Sequence, residues 1–155
     1  MTSGTYARRA TADIPRPELQ AAGKTAIAFL VLLGLGALAG GFALVSRPDG
    51  SVMQFDVALL AGSPFADFLV PGLILGGLFG VGSFVVVALG VRRSRRAPFL
   101  AFAIGCAQMI WIVVELAIIK ELSCLHPTMF AIGLIIVAAS VPWGGPTFQA
   151  WRATR

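Results

Sequence analysis

The chain has 155 residues, 57% hydrophobic and 12% charged, with a formal net charge of +5 and a mean hydropathy of +0.88. That apolar content excludes intrinsic disorder, and two cysteines are too few for a disulfide scaffold. Several apolar runs are too long for the core helices of a soluble domain, which leaves a small integral membrane protein.

Residues 1–24 carry Arg8, Arg9, Arg16 and Lys24 with Pro15 and Pro17, and read as a disordered tail. About 20 apolar residues cross a bilayer as a helix. Residues 25–45 form the first such run, without a charge. Ala37-Leu38-Ala39 resembles a signal-cleavage site, but the basic tail before it is long for a signal peptide, so the run reads as an uncleaved anchor. Residues 46–66 form an outer loop. Arg47-Pro48-Asp49-Gly50 suits a type I turn. Met53, Phe55 and Val57 alternate with polar residues and predict a short strand. An interfacial helix over 51–61 is the alternative.

The second run, 68–91, has no charge, and the third, 98–119, has one, Glu115. The fourth, 127–143, is uncharged and short, rising roughly 25 Å. Each run is continuously apolar rather than alternating, which favours helices over a barrel. Pro98 suits the first turn of the third span. Asp67 and Ser123, each four residues before a proline, suit caps for the second and fourth. Residues 144–155 form a C-terminal tail.

The predicted fold is therefore an all-α membrane four-helix bundle. Its orientation follows from charge. The N-terminal tail, the loop holding Arg92, Arg93, Arg95 and Arg96, and the C-terminal tail with Arg152 and Arg155 share one side, ten of the twelve basic residues. Only Arg47 and Lys120 lie on the other. The positive-inside rule puts both termini in the cytoplasm. The four loop arginines also suit anionic lipid head groups. No aromatic interleaving accompanies them, so nucleic acid is not an expected partner.

Gly72, Gly76 and Gly80 recur every fourth residue in the second span, and Gly36 and Gly40 lie in the first. Small residues at this spacing let helix backbones approach closely. The expected use is packing inside the bundle. The sharper one is contact with a second copy or a larger membrane complex.

Glu115 is the principal candidate for chemistry, since an ionisable group within a span is rare and costly. Gln108, Trp111 and Glu115 share one helical face. Glu115 sits one turn from the outer end, which suits a cation- or proton-binding carboxylate at the base of an outward-facing cavity. The plainer role is a hydrogen-bonded packing residue. Asp67, Glu121 and His126 lie near the same outer surface. One histidine and Cys124 beside Glu121 are too few for a metal site, so no metal or cofactor is expected. Cys106 and Cys124 are too far apart along a helix to pair.

The segments Ser63-Pro64-Phe65-Ala66-Asp67-Phe68-Leu69-Val70-Pro71-Gly72-Leu73-Ile74-Leu75 and Ile110-Trp111-Ile112-Val113-Val114-Glu115 resemble a group of small, uncharacterised four-helix membrane proteins of bacteria. The resemblance implies an inner-membrane location and carries no activity. Small multidrug transporters also have four helices, but their essential glutamate is in the first span, which here has no charge.

The residues support, first, a non-enzymatic protein packing as an accessory subunit or homo-oligomer. Second is a proton-coupled carrier or ligand binder using Glu115 with Trp111 and Gln108. Third is a lipid-modifying enzyme at the outer face using Asp67, Glu121 or His126.

Overall fold

The computed structural model describes residues 21–119 and 125–145. Four helices are long and apolar enough to cross a membrane. The first is α1, Ala21–Ser46. It starts inside the segment read from sequence as a tail. The second span runs Leu69–Val91. It consists of α2 (Leu69–Leu73), a π-helical stretch (Ile74–Val81) and α3 (Gly82–Val91). The third is α4, Ala97–Ile119, and the fourth is α5, Leu125–Trp143. Each is apolar on all sides, the pattern of a helix surrounded by lipid or core rather than one with a watery face. Phe42 is 75% exposed and Ile110 65%, while Ala26, Leu30, Ala97 and Ala101 are fully buried. The largest apolar side chains therefore point outward as often as inward, as a hydrocarbon solvent allows.

Helix ends follow from their local chemistry. Asp67 Oδ1 accepts from the Leu69 N–H at 2.9 Å, supplying one of the partners a helix start lacks. Pro71 and Pro98 both lie in first turns and are buried. At the far end of the second span the Arg93 N–H donates to Gly90 O and the Ser94 N–H to Leu89 O, both at 2.9 Å. This is a Schellman closure with Arg93 in the left-handed position, φ 54°.

The loop between the first and second spans corrects the strand expected around Met53, Phe55 and Val57. Two short 3-10 turns, Ser51–Met53 and Val57–Leu60, replace both the strand and the continuous interfacial helix. Alternation alone does not make a strand when, among the described residues, no second strand pairs with it. The backbone instead satisfies itself locally. Gly50 O accepts from both Met53 and Phe55 N–H groups at 3.0 Å, and Asp56 accepts from Ala58 N–H at 2.9 Å. The turn at Arg47 forms, with Gly50 N–H donating to Arg47 O at 2.9 Å. Pro48 O accepts from Phe68 N–H at 2.9 Å, which ties the loop to the start of the second span.

Glycines set how close the helices come. A Cβ on Gly41 would lie 2.5 Å from the backbone N of Gly76 and 2.8 Å from Gly72 O. One on Gly72 would meet Leu44 Cβ at 2.8 Å, and one on Gly80 would meet the Leu38 side chain at 2.7 Å. The first and second spans thus touch backbone to backbone. Gly40 faces Leu75, whereas Gly36 has open space beside it and takes no part in this seam. The third and fourth spans meet in the same way at Gly105 and Gly133, where a Cβ on Gly105 would lie 2.9 Å from Gly133 O. At the arginine end, the buried ring of Trp143 fills hollows over Gly23 and Gly90.

Candidate functional site

The loop between the first and second spans covers one end of the bundle. Leu60 and Phe68 are buried there with Leu44, and the rings of Phe55 and Phe68 lie 5.8 Å apart. Beneath this cover is a cavity of about 60 Å³. Its wall comes from the loop and three of the four spans: Leu44 of α1, Phe55, Leu60, Phe65 and Phe68 of the loop, Pro71 and Leu75 of the second span, and Trp111, Glu115 and Ile118 of α4, with none from α5 among the described residues. All of these are apolar except Glu115 and the indole N–H of Trp111.

Helical spacing brings Trp111 and Glu115 onto one face, four residues apart. The Trp111 indole is held from behind by Phe79, ring centroids 6.0 Å apart. Its Nε1 is buried and makes no hydrogen bond to a described residue, although the Glu115 carboxylate is its polar neighbour. Glu115 is half-buried and within electrostatic reach of His126 on α5. The fold therefore brings Glu115 and Trp111 together in the cavity wall, with His126 within electrostatic reach of Glu115 and outside the lining.

The other candidates separate from this group. Gln108 lies deeper, 2% exposed, with Oε1 unpartnered among the described residues, and it does not line the cavity. Asp67 is engaged in capping the second span. Glu121, Cys124 and Ser123 lie outside the described residues, as do Lys120, Trp151 and most of both tails read from sequence. Among the described residues, no three His, Cys, Asp or Glu side chains come together, and Cys106 is a free thiol. Arg92, Arg93, Arg95 and Arg96 are exposed at the opposite end of the bundle.

Sequence reasoning missed the cavity's apolar wall. Phe55, Phe65 and Phe68 carried no signal except hydrophobicity, since nothing in the spacing says that a loop folds back over a helix end. It also missed Gly105 and Gly133, which sit in different spans and form no repeat.

The class this architecture defines is a multi-pass helical membrane protein with a small, loop-covered cavity at one end. Comparison with known protein families, with curated proteins and with solved structures found no match. The resemblance carried by the two segments around Phe68 and Trp111 therefore rests on those residues alone.

Proposed function

We propose that the chain is a non-enzymatic membrane protein that binds a small amphiphile in the cavity under the outer loop. The ligand has a short apolar body and an ammonium head, and Glu115 is its counter-charge. The carrying observation is an apolar cavity whose polar groups are one carboxylate and a neighbouring indole N–H that makes no well-formed hydrogen bond among the described residues. A carboxylate facing a donated proton forms a charge-assisted hydrogen bond. An indole beside it attracts a cation through its ring. The phenylalanines of the loop and second span suit the apolar body.

Size selects binding over carriage. An apolar cavity of about 150 Å³ holds benzene, so the smaller one here suits a short alkyl segment. Gln108 and Ser83, the polar side chains deeper in the span region, do not line it. The reading as a subunit of an assembly draws on glycine faces. The close approaches at Gly41, Gly72, Gly80, Gly105 and Gly133 are to helices of the same chain, so packing within the bundle accounts for these glycines. A bacterial inner membrane with both termini cytoplasmic is part of the proposal, supported by the segment resemblance and the one-sided arginines.

The test is tryptophan fluorescence of the full chain in nonionic detergent, titrated with hexylammonium, hexanol and hexyl sulfate. Hexylammonium should saturate, and Trp111→Phe should abolish the signal. Glu115→Gln should weaken binding at least tenfold, since a hydrogen bond to a charged group contributes about 1.5–3 kcal/mol. Equal affinities for wild type and Glu115→Gln, or a preference for hexyl sulfate, overturn the proposal.

A further inference from the structure

The opposite end of the molecule holds a second feature. The third span packs far more extensively on the fourth than on the second. Between the second and third spans this leaves an open groove of about 410 Å³ on the membrane-facing side. Its walls include Leu78, Val85 and Val86 on one side and Leu100, Ala103 and Ile104 on the other, all apolar. The same two spans are joined by the loop that holds Arg92, Arg93, Arg95 and Arg96. The groove therefore opens between the two spans that converge on the densest run of positive charge in the sequence.

The dimensions match one lipid leaflet. Leu100 lies four residues along α4 from Arg96, roughly 6 Å, and Ala107, which also lines the groove, lies eleven residues along, roughly 16 Å. Half of a hydrocarbon core of ~30 Å is ~15 Å. A chain starting at the arginine loop and following the groove thus stops near the bilayer midplane.

Arg93 adds an independent observation. It occupies the left-handed position of the Schellman closure, with φ 54°, where glycine is the ordinary occupant. An arginine in this conformation is strained. Backbone geometry alone does not call for this side chain, and the loop that carries it joins the two spans between which the groove lies.

We propose that the arginine loop and the groove above it form a single site for an anionic phospholipid, with the phosphate on the guanidinium groups and one acyl chain lying between the second and third spans. The site is independent of the cavity at Glu115, which lies at the other end of the bundle.

Native mass spectrometry of the full chain in nonionic detergent tests this, with dioleoyl phosphatidylglycerol and dioleoyl phosphatidylcholine as probes. Phosphatidylglycerol should bind one to one and at least tenfold more tightly. Arg93→Gly relieves the strained conformation, so it should melt no lower than wild type while weakening phosphatidylglycerol binding about fivefold, the worth of one arginine near an anionic surface. Ala103→Phe fills the groove without changing charge and should weaken dioleoyl phosphatidylglycerol severalfold. Glycerol 3-phosphate has the head chemistry and no chain, and should compete only weakly. Equal binding of the two phospholipids overturns the proposal. So does unchanged affinity in Arg93→Gly or in Ala103→Phe, or full competition by glycerol 3-phosphate.

Discussion

Single glycines in this protein differ by what lies beside them. Gly41 sits against the backbone of Gly76, which has no side chain to move aside, so Gly41→Ala forces the first two spans apart. Overpacking of that kind costs about 1–3 kcal/mol. Gly76→Ala adds its methyl 3.6 Å from Gly41 Cα, an ordinary contact, and should be nearly neutral. Gly36→Ala enters open space and should stabilise slightly by lowering chain entropy. Thermal melts in detergent should rank the variants with Gly41→Ala clearly lowest, and a Gly36→Ala as damaging as Gly41→Ala contradicts the argument. At the loop, the Ser51 hydroxyl donates to Asp49 Oδ1 at 2.7 Å and the Ser51 N–H at 3.1 Å, and both hold the Asp49 carboxyl below its ordinary value. A carboxyl depressed in the folded chain supports the turn at pH above its unfolded value, and that support is lost as pH falls through the folded value. Ser51→Ala removes the larger cause. The Asp49 carboxyl resonance should then titrate at higher pH than in wild type, and an unchanged midpoint assigns the shift elsewhere.

Two elements decide how the candidate site is held. The π-helical stretch Ile74–Val81 carries Phe79, which backs Trp111, and four glycines of the second span lie in or beside it. Such wide turns occur mostly in short pieces and often at functional sites. The second element is the seam between α4 and α5. Gly105 and Gly133 meet there one turn below Gln108, and a Cβ on Gly105 would also press Val137 Cγ2 at 2.8 Å. Gly105→Leu should move α4 away from α5 and displace Glu115 from His126. The expected result is a lower melting temperature together with loss of hexylammonium binding. Leu134→Ala, at an exposed position of α5, should change neither. A Gly105→Leu protein that binds as wild type does excludes this seam as the support of the site.

For the whole molecule, four spans require that the outer loop and the arginine loop lie on opposite sides of the membrane. With Cys106 and Cys124 replaced by Ser, a cysteine introduced at Asp56 should react with a membrane-impermeant maleimide in intact cells. One introduced at Ser94 should react only after permeabilisation. Labelling of both from outside rules out the proposed topology. Under the proposed topology the two candidate sites face different compartments, the cavity at Glu115 outward and the arginine groove inward. Each can be disabled separately, since Glu115→Gln leaves the arginine loop untouched and Arg93→Gly leaves the cavity untouched.

Four continuously apolar runs determined four helices, because a bilayer core leaves backbone N–H and C=O groups no partners but those within the helix. That demand acts over 20 residues at a time, and it is legible without knowing what surrounds them. Prolines and Asp67 near the span starts were legible for the same local reason. Alternation at Met53, Phe55 and Val57 misled because a strand needs a distant partner, and local turns satisfied the backbone instead. Glu115 and Trp111 shared a face by helical period alone. Only the tertiary structure decided which glycines are pressed against backbone, that Gly105 and Gly133 meet, and that Phe55, Leu60 and Phe68 close over Glu115. Those contacts join residues far apart in the chain, where one rotation of a uniformly apolar helix costs nearly the same as another in lipid. Close packing of small residues, which the sequence pattern cannot rank, selects among the rotations.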